Sequence, residues 1–172
     1  MQKDFSYKLK IEDLTQKTKH YHLEADSKER EILKKILKTE DVKSFVADID
    51  LKLNYKTHRL DIKGTVDAVL SLKSVISLEV FDKEYEASFE YYYDTSMTYD
   101  DIKSLDAGIE DEIPEIVENG EIDLGQIAIE QLALVMDDYP RMEGEVFTFK
   151  SEFDEKTTKA AHPFAVLEKL KK

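Results

Sequence analysis

Apolar and polar residues alternate along the first part of the chain, and then their spacing changes. Alternation over residues 5–11 and again over 20–25 predicts two half-buried β-strands. Asp26, followed by Glu29 three positions later, forms a capping-box signature. Because apolar residues then recur at helical spacing, we predict a helix of about three turns over residues 27–38.

Long alternating runs follow this helix and predict a sheet. One run covers residues 45–55 and the next covers 60–70, and the polar link from Asn54 to Arg59 favours a hairpin between them. The two strands would then be antiparallel neighbours.

The alternation continues beyond the hairpin. We predict a third apolar stretch over residues 72–81, a turn at Asp82–Lys83 and a fourth strand over 85–93. Together these runs predict an α+β fold. It would be a twisted antiparallel β-meander packed with two or three helices, and the sheet could be open or could curl towards a barrel.

The last third of the chain predicts two more helices and a strand. Asp123 with Gln126 marks the start of a helix over Leu124–Met136, which is apolar on most sides and must be largely buried. Alternation over Glu145–Phe153 predicts a strand, and His162–Pro163 opens a short C-terminal helix.

Composition and charge narrow the class of protein. The chain has 172 residues, of which 41% are hydrophobic and 37% charged, and its formal net charge is −13. This excess of acid disfavours a protein that coats nucleic acid through clustered lysine and arginine. The absence of cysteine excludes disulfides, thiolate metal sites and a cysteine nucleophile. With no run of about 18 apolar residues and no apolar leader, we expect a cytoplasmic protein without a membrane span.

Most of the acid excess lies in one segment. Residues 94–123 hold eleven acidic residues and one basic residue, interrupted by Gly108, Pro114 and Gly120. We predict a loop or arm at about 94–122. It could be a solvated connection or an acidic docking surface for a basic partner. The candidate docking residues are Glu110, Asp111, Glu112, Glu115 and Glu118.

The sequence carries no catalytic motif, neither a glycine-rich phosphate loop nor a zinc-protease or nucleophile-elbow signature. We therefore predict no enzymatic activity, no catalytic residues and no cofactor. His20, His22 and Glu24 would share one face of a strand and could bind zinc. An ordinary polar strand face explains them better, so we predict no metal site. His58 and His162 are interpreted as loop or cap residues.

Basic residues cluster on the first predicted helix, which could touch RNA. The alternative is an ordinary amphipathic helix with a solvated lysine face. Of the tyrosines at 91–93, only Tyr92 is free of the predicted core and able to stack on a base. The candidate RNA contacts are Lys28, Arg30, Lys34, Lys35, Lys38 and Arg141.

The order and spacing of these blocks resemble those of the YceD family, a family associated with accumulation of large-subunit ribosomal RNA. The resemblance is to the alphaproteobacterial members. Segments similar to that family are FSYKLKIEDL (5–14), EADSKEREILKKIL (24–37), GTVDAVLSLKSVISLEVF (64–81), EIDLGQIAIEQLAL (121–134), YPRMEGEVF (139–147) and HPFAVLEKLK (162–171). The resemblance implies one YceD-like domain over residues 1–172.

One departure from the family concerns cysteine. Many members carry a cysteine near the position of Ser74, and some carry more after Tyr139–Pro140, as in a metal site. This chain has none, so the resemblance implies no metal-dependent or redox role here.

The resemblance implies a non-enzymatic ribosome-biogenesis factor that supports synthesis, processing or stability of large-subunit (23S) ribosomal RNA. Its expected partners are large-subunit ribosomal RNA precursors, a basic ribosomal protein or an assembly factor. We expect a monomer or homodimer. Two alternatives remain: an RNA-processing enzyme or nuclease activator that uses a carboxylate-bound magnesium ion, and a generic acidic protein-interaction module.

Overall fold

The computed structural model describes residues 5–104, 115–117 and 119–146. The chain divides into two compact units, Met1–Met142 and Glu143–Lys172. The predicted strand over 145–153 passes out of the described residues after Val146, and the predicted C-terminal helix lies wholly outside them. The single domain over 1–172, with its acidic loop or arm at 94–122, stays a prediction.

The first unit is an α+β structure, as predicted. Its elements, in chain order, are β1 (Lys8–Lys10), a 3-10 helix (Ile11–Asp13), β2 (Lys19–Glu24), α1 (Ser27–Leu37), β3 (Asp41–Asn54), β4 (Arg59–Lys73), β5 (Val80–Asp94), α2 (Tyr99–Ser104), β6 (Glu115–Ile116), β7 (Glu121–Asp123) and α3 (Leu124–Val135).

Five of the strands form one sheet, in the order β2-β3-β4-β5-β6. The pairs from β2 to β5 are antiparallel, which confirms the predicted meander, and β6 adds to β5 in parallel. Within the described residues the sheet does not close into a barrel, so the barrel-like variant of the predicted meander is not the one that forms. The reason lies in the packing. Leu33 of α1 and Leu124 of α3 belong to the same buried cluster as one face of the sheet, so helices fill the space that a barrel would enclose.

The predicted turn at Asp82–Lys83 was also wrong. Both residues lie inside β5, where Asp82 is paired with Ser71 of β4. The reversal comes earlier, at residues 74–79, because the Ser74 hydroxyl accepts hydrogen bonds from the backbone N–H groups of Ile76 (3.1 Å) and Ser77 (3.3 Å). Two long strands, β4 and β5, therefore replace three shorter predicted segments.

Local signals at the helix ends are confirmed. Asp26 and Glu29 form the predicted capping box at the start of α1. Asp123 caps α3 and also accepts hydrogen bonds from the backbone N–H of Tyr7, at 2.8 Å, and from the Ser6 hydroxyl. The first predicted strand shortens to β1, which pairs with β7, and this pairing brings the N-terminal segment against the start of α3.

Candidate functional site

The side of the sheet that faces away from α1 and α3 is strongly acidic. Alternate residues of β2 to β5 point to this side, and their side chains range from half-buried to exposed. We define the open face by the outward side chains of residues 20–24, 46–52, 61–69 and 84–92. Its acidic members are Glu24, Asp48, Asp50, Asp61, Asp67, Glu84, Glu86 and Glu90. Its lysines are Lys52 and Lys63.

Two histidines border these carboxylates along β2. His22 lies across from Asp48 in the register, with its Nδ1 atom 2.8 Å from Asp48 Oδ1. His20 lies across from Asp50, with its Nδ1 atom 2.9 Å from Asp50 Oδ1. The hydrogen bond and the negative charge of Asp48 raise the pKa of His22 above its usual value. The zinc-ligand candidates are therefore hydrogen-bonded to carboxylates of the neighbouring strand, while Glu24 is paired with Val46.

The middle of the open face is a hollow of about 460 Å³. Its outer wall includes His20, Asp48, Asp50, Lys63 and Glu90. Two lysines offset only part of the charge of eight acids. One of them, Lys63, has its Nζ atom 3.5 Å from Glu90 Oε2, and both side chains are mostly exposed. Exposed ion pairs of this kind contribute little to stability, so these charges remain free to respond to a partner.

The sequence reasoning missed this acidic surface because its members are scattered over more than sixty positions. Asp48 and Asp50 are on β3, Asp61 and Asp67 on β4, and the three glutamates at 84, 86 and 90 on β5. Each is one of the polar residues that alternate with apolar residues along its strand. Pairing the predicted strands in register would have gathered them on one face.

The acidic docking candidates are mostly outside the described residues. Glu110, Asp111, Glu112 and Glu118 are all in that position. Glu115 is described: it lies in β6, opposite Tyr93, and is exposed. Docking through this segment stays a prediction.

The RNA-contact candidates on α1 form an interrupted basic surface. Lys28, Lys35 and Lys38 are exposed. Arg30 is half-buried, and its guanidinium donates a hydrogen bond to the Ala25 carbonyl at 3.5 Å. Lys34 is also half-buried, and Glu31 lies on the surface between Lys28 and Lys35. The helix thus offers a few separated positive charges rather than a continuous phosphate-binding stripe.

Arg141, the sixth candidate, follows the end of α3. A groove of about 590 Å³ there is lined by Lys38 from the end of α1, together with Asp137, Asp138 and Pro140. Hydrogen bonds from Lys83 and Tyr85 lower the pKa of Asp137, and the positive charge of Arg141 adds to the effect. The structure therefore brings Lys38 and Pro140, the residue before Arg141, to the same groove, but carboxylates accompany them.

Tyr92, the candidate for base stacking, already has a partner. The guanidinium carbon of Arg59 lies 4.0 Å from the centre of its ring. Tyr91 and Tyr93 are half-buried against the core, on the face to which the pattern assigned them.

Comparison with known proteins places the chain in a family. The sequence profile described as "Large ribosomal RNA subunit accumulation protein YceD" matches residues 62–171, which is more than half of the chain. The chain belongs to the YceD family. This confirms the resemblance drawn from the sequence blocks. Comparisons with curated proteins and with solved structures gave no match.

In this YceD-family member a buried serine, Ser74, lies near the position where many members carry a cysteine. Ser74 is 1% exposed, and its hydroxyl is used in the β4–β5 turn. The neighbouring Val75 N–H donates a hydrogen bond to the Pro140 carbonyl at 2.9 Å, so the turn lies beside the Tyr139–Pro140 segment. Across residues 5–104, 115–117 and 119–146, no three histidine, aspartate or glutamate side chains converge closely enough to hold a metal ion. In the same part of the chain, no helix is both long and apolar enough to span a membrane.

Proposed function

We propose that this protein is a non-enzymatic ribosome-biogenesis factor that supports synthesis, processing or stability of large-subunit (23S) ribosomal RNA by binding a basic ribosomal protein or assembly factor. The family description, large ribosomal RNA subunit accumulation protein, supports a role in ribosome biogenesis. The acidic open face supports the mode of action. We propose that it acts in the cytoplasm. The proposal includes no catalysed reaction, because the sequence contains no catalytic motif.

The charge of the open face favours a protein partner over bare RNA. Eight carboxylates face two lysines over this surface, with Arg59 paired to Asp61 at its edge. The net charge stays negative, so a phosphate backbone would be repelled. A lysine- and arginine-rich protein would be attracted to it. Complementary potentials of this kind speed the encounter and select the partner more than they fix the affinity.

The basic positions of α1 and Arg141 are proposed as a secondary contact with precursor RNA. Lys28, Lys35 and Lys38 are exposed at positions separated by acidic or apolar residues. Each would add one phosphate contact and no sequence preference. In this account the open face carries the partner protein, and α1 adds a weak and salt-sensitive contact to the RNA.

The direct test is depletion of the protein in the organism that makes it. We expect the ratio of large- to small-subunit ribosomal RNA to fall, and a tagged copy to sediment with large-subunit precursors or with a basic protein bound for them. An unchanged ratio would contradict the proposed function. It would leave an acidic interaction module without a link to the ribosome.

A further inference from the structure

We propose that the hollow in the open face binds the arginine or lysine side chains of an extended, basic segment of the partner protein. The inference rests on the proposed function, because it names the class of partner and the place where that partner docks. It also predicts the direction in which Lys63, a lysine that lines the hollow, changes the binding of a basic segment and of RNA.

The floor of the hollow follows from the register of the strands. Thr65 of β4 lies directly opposite Ser88 of β5, and both side chains are short. On one side of this pair lie Lys63 and Glu90, and on the other lie Asp67 and Glu86. Longer side chains therefore flank a row of short ones. The resulting space of about 460 Å³ can admit long, flexible basic side chains.

The acceptors in the wall suit a guanidinium or an ammonium group. Asp48 and Asp50 line the hollow, and each contacts a histidine through its Oδ1 atom. Among the described residues, their Oδ2 atoms have no hydrogen-bond partner, so a second acceptor on each carboxylate is open to a ligand. Both side chains remain accessible, at 40% and 49% exposure. Charge-assisted hydrogen bonds to carboxylates are the strong kind that anchors an arginine.

The spacing of the two aspartates selects an extended segment. Asp48 and Asp50 are two residues apart on β3, so their side chains lie on one face roughly 6.5–7 Å apart. Alternate residues of an extended peptide have the same spacing. A partner segment with basic residues at every second position would place successive cations against the two carboxylates.

Lys63 provides the opposite sign in the same hollow. It lines the cavity and lies opposite Asp50 in the register of β3 and β4. A basic ligand must approach this ammonium group, so Lys63 should weaken its binding. A nucleic acid would gain from the same lysine. The effect of Lys63 therefore separates a basic protein ligand from RNA.

The test uses the full chain and a fluorescent nonapeptide of alternating arginine and serine, titrated by anisotropy at about 0.1 M salt, where charges beyond about 10 Å are screened. The variant Asp48→Asn with Asp50→Asn should raise the dissociation constant about tenfold or more. The matched variant Glu12→Gln with Asp13→Asn removes the same charge outside the hollow and should change it less than about threefold. Lys63→Gln should tighten binding several-fold, a gain that a misfolded protein would not show.

Three results of the binding assay would overturn the inference, and so would one result of a rescue experiment in cells. Equal weakening by the two double variants would mean that diffuse attraction, and not the hollow, binds the peptide. An absence of peptide binding by the wild-type chain would mean that the hollow does not bind a basic segment. Binding of a single-stranded RNA that Lys63→Gln weakens would assign the hollow to nucleic acid. The inference and the proposed function can fail separately. If depletion lowers the large-subunit RNA and the Asp48→Asn, Asp50→Asn chain restores it fully, the hollow is not the docking site and the function stands. If depletion leaves that RNA unchanged, the function fails whatever the peptide does.

Discussion

Phe89 of β5 lies directly opposite Gly64 of β4, and its ring fills the space that a side chain at position 64 would occupy. A Cβ atom built on Gly64 would be 2.7 Å from Phe89 Cζ and 2.6 Å from the Asp48 carbonyl oxygen. This contact lies on the core side of the sheet, directly beneath the hollow. The missing side chain thus allows the three central strands to pack closely under the candidate docking site.

Replacement of this glycine should therefore destabilise the sheet. We expect Gly64→Ala to lower the free energy of unfolding by about 1–2 kcal/mol, because the cost of overpacking outweighs the gain from a less flexible backbone. Chemical denaturation measures the change. In a double-mutant cycle, Phe89→Leu should recover part of the loss because a smaller side chain makes room for the new methyl group. Strictly additive losses would show that the ring is not the obstacle.

Asp123 joins the N-terminal segment to α3 and offers a second test of the fold. Its Oδ1 atom accepts hydrogen bonds from the backbone N–H groups of Tyr7 (2.8 Å) and Gly125 (3.0 Å). We expect Asp123→Ala to cost about 1–2 kcal/mol of unfolding free energy, as for other lost helix caps. Asp123→Asn keeps an acceptor oxygen and should cost less. If both variants lost the same amount, the charge rather than the cap would be responsible.

The pair formed by His22 and Asp48 should give the protein a pH-dependent element on the open face. The hydrogen bond and charge of Asp48 raise the folded-state pKa of His22 above the usual value of 6.5. Its contribution to stability is therefore complete below pH 6.5 and is lost as the pH rises through the raised folded pKa. An NMR titration of the imidazole protons should show the raised pKa, and Asp48→Asn should return it towards 6.5. An unchanged titration in that variant would exclude Asp48 as the cause.

The proposed RNA contact of α1 predicts a particular response to salt. Lys28→Gln and Lys35→Gln should weaken binding to large-subunit precursor RNA by similar amounts for all sequences, and each should reduce the salt dependence by about one counterion. Glu31→Gln is the matched control on the same helix, and it should strengthen binding because it removes a negative charge from between the lysines. Filter binding over a range of salt concentrations measures both effects. If all three variants bound the RNA with the affinity of the wild-type chain, α1 would not contact the RNA.

The sequence predicted the parts of this fold whose signals are local. The capping box at Asp26 and Glu29 predicted α1, and strict alternation predicted the strands. The turn was misplaced because Asp82–Lys83 carries the polarity of a turn, whereas the actual reversal depends on the hydroxyl of one buried serine, Ser74. Side-chain hydrogen bonds of this kind leave little trace in hydropathy.

The candidate site was harder to predict because it depends on pairing between strands. A count of charge along the chain drew attention to the segment 94–123, where acids are adjacent in sequence. The open face gathers its acids from four strands, and only the register places Asp48 and Asp50 beside Lys63 and Glu90. The positions of these residues along the chain do not show that they are neighbours in the sheet.

The most direct test of the account is the ratio of large- to small-subunit ribosomal RNA in cells depleted of the protein and supplied with one of three copies. The copies are the wild-type chain, the variant Asp48→Asn with Asp50→Asn, and the variant Glu12→Gln with Asp13→Asn. We predict that depletion lowers the ratio, that the wild-type and Glu12/Asp13 copies restore it, and that the Asp48/Asp50 copy does not. A ratio that depletion leaves unchanged would contradict the central claim that this protein supports large-subunit ribosomal RNA.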